Sequence, residues 1–397
     1  MLADLISTYL YEHDTAVVEA VRSAAAGVPA FAARMAAAGV DQVGGAADLE
    51  RLPVMTKDDL LAAQRASPPF GGAVAPGAVL RKIFCSPGPL YEPQLTGPDP
   101  WRWGESLRAA GFGPGDRVLN CFSYHLSPAG AMFEEGCLAL GATVIPAGIG
   151  NQDLQVQVAA EVGATAYVGL PSYLKALVEK SIERGLTWPV RRALVTAEPL
   201  PDSLRAWLEP HVPVVLMAYG TAEAGLLGYE TAPRSGLKVP DGVLVQICDL
   251  DSGAARTDDA VGQVVVTLLR PEQPLIRLGT GDLSAWRLGA DGTLRLAGVL
   301  GRLGEAVKVR GLFLHPRQAA AALEQLPGLA AYRLVIGRVS HQDTLRCEVM
   351  ASPGTDPAAL TETVRDRIRA TLRFAAEVTC VPALPEGPAL VDERDWK

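Results

Sequence analysis

A chain of 397 residues is longer than one hydrophobic core usually serves, so two or more domains are expected. With 49% hydrophobic and 20% charged residues, its composition is that of a globular enzyme and not of a disordered chain. A formal net charge of −8 with no basic run argues against a dedicated nucleic-acid binder, which would gather Lys and Arg to neutralise phosphates.

The opening stretch MLADLISTYLYEHD has no positive n-region and no small-residue cleavage site. No apolar run reaches the roughly 20 residues that span a bilayer. A soluble cytoplasmic protein with no membrane partner is therefore expected. The six cysteines (Cys85, Cys121, Cys137, Cys248, Cys347 and Cys380) show no CxxC or Cys/His ligand spacing and read as reduced, buried small hydrophobes. Residues 1–70 read as a helical lead-in. TAVVEAVRSAAAGVPAFAARMAAAGV has apolar residues at helical spacing, and MTKDDLLAAQ carries an N-cap Thr followed by acidic residues.

The stretch FCSPGPLYEPQ, Phe84 to Gln94, follows the apolar VLRKIF where a strand would run into a loop. A loop that wraps phosphate needs glycines so that N–H groups can converge, hydroxyl donors, and usually a lysine. This one offers one Gly, three Pro and a Glu. From residue 80 to 230, short apolar strands alternate with amphipathic helices: DRVLNCFSY, SPAGAMFEEGCLALG, ATVIPAG, DLQVQVAAEVG, ATAYVGLP. That alternation favours a parallel α/β sheet. Residues 240–300 change to strands with hairpin-like turns, GVLVQICDLDSG and GQVVVTLL, as in an antiparallel, β-rich subdomain. From Gly301 onward the order strand, helix, strand, strand, helix, strand reads as a small α+β domain. The expected architecture is α/β: an N-terminal domain over 1–300 and a C-terminal lid over 301–397.

Three stretches after these carry candidate chemistry. AYGTAEAG ends an apolar strand and sets Tyr219, Gly220, Thr221 and Glu223 at a strand end, where α/β sheets bind ligands. The aromatic suits a base and the carboxylate a magnesium ion; the bland alternative is a glycine turn with a solvated Glu. RLGTGDLSAW offers Asp282 after a Gly-Thr-Gly turn, suited to accepting ribose hydroxyl bonds. GRLGEAVKVRG puts Arg302 and Lys308 on either side of a glycine-containing turn, as in a hinge or in a hairpin with solvated charges.

In this order and spacing the set resembles the adenylate-forming superfamily of acyl-CoA synthetases, and within it the phenylacetate–CoA ligase family, over nearly the whole chain. The run from AAGFGPGDRVLN to GLPSYL resembles that family's N-terminal domain from end to end. The family's YGxTE box stands here as YGTAE, its TGD box as Thr280-Gly281-Asp282, and its GRxDDxIKxRG hinge box as GRLGEAVKVRG. The resemblance implies that Tyr219 stacks on adenine, that Thr221 lies near the acyl-phosphate oxygens, and that Glu223 ligates magnesium. Asp282 would hold the ribose hydroxyls and Arg302 would reach ribose or phosphate. Ala197, Glu198 and Pro199 match the turn beside the adenine. Phe122, Tyr124 and His125 match the segment lining the acyl pocket, where His125 orients a carboxylate or is a packed histidine.

Two departures stand out. Aligned to the family's SSGTTGKP loop, Ser86, Gly88 and Pro93 remain, while both threonines become Pro89 and Leu90 and the lysine becomes Glu92. Pro87 and Pro89 also remove two backbone donors. The family's C-terminal catalytic lysine falls near Pro388 or Ala389, with Lys308 the first candidate for the missing charge. No zinc is expected, since Thr231 and Lys238 stand where its ligands would be. The implied function is an aryl or related acid–CoA ligase using ATP, magnesium and CoA, with AMP as its bound nucleotide product. The alternative is an adenylation-deficient homologue that binds a nucleotide, acyl-adenylate or acyl-CoA. The implied partners are a small carboxylic acid and CoA, with no nucleic acid, and a homodimer stays open.

Overall fold

The chain opens on two helices, α1 (Leu2–Gly27) and α2 (Pro29–Ala37), the second started by a proline whose missing N–H costs nothing in a first turn. The computed structural model describes residues 2–86, 89–303, 307–309, 312–314, 316–324, 326–372 and 374–394. Helix α3 (Lys57–Ala66) begins with a reciprocal cap. The Asp59 amide donates to Thr56 Oγ1 at 3.1 Å and the Thr56 amide to the Asp59 carboxylate at 2.8 Å. These helices are not a free-standing lead-in. Val17, Val21 and Phe31 share one apolar cluster with Leu244 and Ile276. No single described helix is long and apolar enough to cross a membrane; α1 and α2 meet that test only as a pair bent by 109°.

β1 (Leu80–Cys85) and β2 (Tyr91–Leu95) then pair antiparallel. Helix α4 (Trp103–Ala109) leads into the main α/β run, in which β3 (Arg117–Asn120), α5 (Ala129–Ala139), β4 (Thr143–Ile145), α6 (Gln152–Val162), β5 (Ala166–Gly169), α7 (Pro171–Glu183), β6 (Arg192–Val195) and α8 (Asp202–Leu208) alternate. β7 (Val214–Thr221) and β8 (Gly225–Tyr229) close a sheet of order β4-β3-β5-β6-β7-β8. Its strands run parallel except for β8, which is antiparallel to β7. The central strand β5 is buried at every residue, as expected for a strand covered by helices on both faces.

A second sheet is antiparallel, with β9 (Val243–Cys248), β10 (Gly262–Leu268), β11 (Leu278–Ser284) and the two-residue β14 (Gly301–Arg302) in the order β14-β11-β10-β9. A hairpin of β12 (Trp286–Leu288) and β13 (Leu294–Leu296) lies between β11 and β14 in the chain. The chain divides into two compact units, Met1–Leu303 and Gly304–Lys397. The second contains β15 (Val307–Val309), β16 (Leu312–Leu314), α9 (Pro316–Leu323), β17 (Leu329–Val339), β18 (Gln342–Ala351), α10 (Pro357–Arg367), β19 (Glu377–Cys380) and β20 (Leu390–Asp392). The sequence pattern omits β16 and β20, each only three residues long. β20 joins its sheet in parallel beside β17.

A buried ion pair locks α8 to the end of β7. Arg205 Nη2 donates to both Glu230 oxygens at 2.8 Å, its Nη1 donates to the Val215 carbonyl at 2.6 Å, and the Met217 amide donates to Glu230 at 2.8 Å. Removing one partner strands the other charge out of water. Glu230→Ala is expected to lower unfolding free energy by about 3–5 kcal/mol in urea titrations; a loss under about 1 kcal/mol would show the pair to be solvated.

Candidate active site

Asp282 is the point at which the two larger sheets of the first unit meet. It lies on β11 opposite Arg302 of β14, whose Nε donates to Asp282 Oδ1 at 2.5 Å. From β7, the Tyr219 hydroxyl donates to Asp282 Oδ2 at 2.8 Å and lies 3.2 Å from Thr280 Oγ1. Thr280 Oγ1 also accepts from the Asp282 amide at 3.1 Å. Burial, reinforced by the Asp282 charge, holds the Tyr219 phenol well above its ordinary range. The Tyr219 ring packs with Ala224, Leu227 and Val245, and 7% of the residue is exposed. Four residues from two sequence boxes and the hinge box thus form one hydrogen-bonded group.

The turn between β7 and β8 carries the next candidates. Gly220 is required by space: a Cβ there would lie 2.4 Å from the Gly225 carbonyl oxygen and 2.8 Å from the Trp103 ring. Thr221 Oγ1 accepts from the Ala224 amide at 3.1 Å and so holds the turn closed. Arg102 reaches the same turn and donates to the carbonyls of Ala224 and Leu226; burial lowers its guanidinium to about 10.

Glu223 is buried and meets a partner that sequence reasoning missed. Lys57 Nζ, on the first turn of α3, lies 2.7 Å from Glu223 Oε1, while Glu223 Oε2 is buried and has no hydrogen-bond partner among the described residues. Burial alone would raise the Glu223 carboxyl; the Lys57 ammonium and the hydrogen bonds of the turn override it and hold it below the ordinary range. The visible signal for Lys57 was its position after the N-cap Thr56. Nothing local tied it to a residue so far along the chain.

The proline-bearing stretch differs from the loop expected over Ser86–Pro93. It turns over at once, with the Ser86 amide donating to the Leu90 carbonyl at 2.8 Å and the Ser86 hydroxyl donating to that carbonyl at 3.2 Å. Tyr91 to Leu95 then form a strand, so Glu92 sits in ladder register with Phe84 and is buried. Proline is tolerated here because β2 has a partner on one side only. Gln64 of α3 clamps the hairpin through the Tyr91 amide and carbonyl at 2.8 and 3.0 Å, and Gln94 donates to Glu135 of α5 at 2.7 Å. Glu92 Oε1 is buried and has no hydrogen-bond partner among the described residues. Burial first, then the Glu223 charge, raises the Glu92 carboxyl well above its ordinary range, against the pull of Lys57 and Arg270. Gly88 lies outside the described residues.

The remaining candidates are spread around the C-terminal ends of the parallel strands. Ala197, after β6, adopts φ +73°, a conformation rare for a residue with a Cβ, and Glu198 accepts from Ser172 Oγ at 2.5 Å; Pro199 is half-buried. Phe122 stacks on Phe133 at 4.5 Å within the core, and Tyr124 is half-buried with its hydroxyl accepting from Asn120 Nδ2 at 2.8 Å. Burial, aided by Glu134, raises the Tyr124 phenol. His125 is exposed, its backbone amide donating to Ser123 Oγ at 3.3 Å. Asn120, fully buried at the end of β3, also donates to the Gly130 carbonyl at 2.8 Å and accepts from the Phe122 amide at 3.1 Å. It was legible only as a polar residue ending an apolar strand. Lys308 lies on β15; its side chain is outside the described residues.

Magnesium was expected on Glu223. An ammonium already meets Glu223 Oε1, and among the described residues no three His, Cys, Asp or Glu side chains gather as a metal site. This donor set does not fit a resident magnesium ion.

The two glutamates set opposite pH dependences. Glu92, with its folded value raised, is buried at no ionisation cost below the unfolded value of about 4.3 and costs more as pH rises toward the folded value. Glu223, with its folded value lowered, contributes stability above about 4.3 that is lost as pH falls through the folded value. Glu92→Gln should therefore match the native protein below about pH 4.3 and gain on it as pH rises from there toward the raised folded value, read as urea midpoints. A native protein more stable than the Gln variant at pH 8 would show Glu92 to be ionised and paired.

Residues 102–267 match the family described as AMP-binding enzyme. A phenylacetate-coenzyme A ligase of Thermus thermophilus is 29% identical over 348 residues, covering 82% of this chain and 77% of its own. One from Aromatoleum evansii is 28% identical over 395 residues, covering 91% and 88%. A 2-hydroxyisobutyryl-CoA ligase solved with 2-HIB-AMP and CoA superposes with a TM-score of 0.87 at 25% identity, over 97% of this chain and 90% of its own. Over most of its length the chain is thus similar to phenylacetate–CoA ligases, and its residues 102–267 match the AMP-binding enzyme family.

Proposed function

We propose that this protein is an acid–CoA ligase that activates an aryl or related carboxylic acid with ATP and passes the acyl group to coenzyme A. The observation that carries this reading is the convergence of Tyr219, Thr280, Asp282 and Arg302 into one hydrogen-bonded group. A carboxylate offers about four lone-pair sites, so Asp282 can hold Tyr219 and Arg302 and still accept ribose hydroxyls. Tyr219, Ala197, Glu198 and Pro199 then bound the adenine, Arg302 lies beside the ribose or phosphate, and Phe122, Tyr124 and His125 face the acid.

In the first half-reaction a carboxylate oxygen attacks the α-phosphorus, the bond to the β-phosphate oxygen breaks, and pyrophosphate leaves. In the second, the CoA thiolate attacks the acyl carbon, the carbon–oxygen bond breaks, and AMP leaves with that oxygen. Catalysis of the first step is electrostatic. The hairpin has lost its lysine, and one cation whose charge reaches Glu92 is Lys57, brought from α3 and held on Glu223. Lys57 supplies positive charge to the leaving phosphates, Thr221 lies at the acyl phosphate, and magnesium enters with ATP as part of the substrate. Residues 304–397, with Lys308, act as the lid domain. The adenylation-deficient alternative is not favoured, because the relatives are named as ligases.

Incubated with ATP, CoA and a panel of aryl and aliphatic acids, the protein should release pyrophosphate and form a thioester with at least one acid. Asp282→Asn should lower kcat/KM by about tenfold or more, and Lys57→Met should lower pyrophosphate release by about a hundredfold with a smaller effect on AMP binding. AMP binding with no pyrophosphate from any acid would restore the alternative.

A further inference from the structure

A second cavity, of about 390 Å³, lies between α2 and α3 and is closed by residues 53–55 and 274–275. None of its lining residues is among the candidate active-site residues named above, and its volume falls within the range of about 300–1,000 Å³ found for small-molecule sites. Its walls are apolar, with Phe31, Leu60, Ala38 and Ala63 among them, and hold two charged side chains, Arg34 and Asp59. Asp59 is committed to the α3 cap, accepting from the Thr56 amide and hydroxyl at 2.8 and 2.7 Å.

Arg34 is different. Its guanidinium donates to two main-chain carbonyls, Ile276 at 2.6 Å and Pro53 at 2.5 Å. The Asp59 carboxylate, which lines the same cavity, acts on it by charge and is not hydrogen-bonded to it. Burial and the neighbouring Arg277 lower it only to about 10, so it stays cationic at neutral pH. A cation held by main-chain carbonyls, with Asp59 already committed to the α3 cap, at the edge of an apolar cavity, is complementary to a ligand with one anionic head and an apolar body. The far wall is rigid: Gly71 has φ +62°, and a Cβ there would lie 2.7 Å from the Ala63 backbone.

We propose that this cavity is a second small-molecule site, which takes a monocarboxylate with its head on Arg34 and its apolar body between Phe31, Leu60 and Ala63. The site lies on the helix that serves the adenylation site. α3 carries Lys57 to Glu223, and its Gln64 clamps the hairpin. Leu60 and Leu275 also wall the small void, of about 10 Å³, beside Glu92.

Octanoate and octan-1-ol are the probes, titrated calorimetrically into the full-length protein and into two cavity-filling variants, Ala38→Met and Ala63→Met, each checked for an unchanged melting temperature without ligand. Octanoate should bind the native protein saturably, octan-1-ol about tenfold or more weakly for want of the charged contact, and the filled variants should bind octanoate about tenfold or more weakly than the native protein. Crystals soaked with 8-bromooctanoate should show bromine between α2 and α3. Octanoate binding unaffected by either filling variant, no saturable binding at millimolar concentration, or bromine found only beside Phe122 and Tyr124 would overturn the proposal, the last by assigning the binding to the substrate acid. None of these readouts needs turnover, so a failure of the ligase reading would leave the result standing.

Discussion

The carboxylate of Asp282 holds together the part of the molecule that matters for its chemistry. One oxygen takes Tyr219 from the mainly parallel sheet and the other takes Arg302 from the last short strand of the antiparallel sheet. Asp282 is 5% exposed, and a carboxylate removed from water persists only where partners replace its hydration. The positions of β7, β11 and β14 are therefore constrained by the same carboxylate that the proposed function assigns to a ribose. Thr280 makes the arrangement tighter by accepting from the Asp282 amide and donating to the Val264 carbonyl at 3.0 Å.

A second arrangement of charge answers the problem of the altered loop. The proline-bearing stretch has ceased to be an open loop: its turn bonds to itself, its following residues pair as a strand, and its glutamate is buried in a protonated-favouring site. Positive charge arrives instead from α3, where the cap of Thr56 and Asp59 fixes the first turn and Lys57 projects onto Glu223. Two buried carboxylates and one ammonium cannot all be independent. Lys57 keeps Glu223 ionised, and the charge so retained helps to keep Glu92 neutral. Lys57, Glu223 and Glu92 are thus parts of a single electrostatic balance.

Much of the fold was legible because it rests on local pattern. Strands such as DRVLN and ATAYVG are short apolar runs bounded by turns, and they fall at β3 and β5. The Thr56 cap was visible because its partner is three residues away. Tyr219, Asp282 and Arg302 were found through ordered boxes, while their meeting is a tertiary fact. What was not legible depends on distance along the chain. Lys57 and Glu223 belong to segments with no shared periodicity, and Arg102 reaches the same turn from another element. Glu92 is expected in a loop because the stretch aligns with the family's SSGTTGKP loop, yet Tyr91 to Leu95 pair as a strand and a two-stranded ribbon leaves the proline on an unpaired edge. The short β16 and β20 carry too few residues for a period to show. Cavities have no sequence signature, and the one between α2 and α3 comes only from the packing of separate segments.

The central claim, that a carboxylate attacks the α-phosphorus of ATP in this protein, is tested most directly by isotope transfer. An accepted acid labelled with ¹⁸O in both carboxyl oxygens is turned over with ATP and CoA, and the AMP is analysed by mass spectrometry. Attack on the α-phosphorus followed by cleavage of the acyl carbon–oxygen bond leaves one labelled oxygen in AMP and one in the thioester. AMP without label, or ADP in place of AMP and pyrophosphate, would contradict the account.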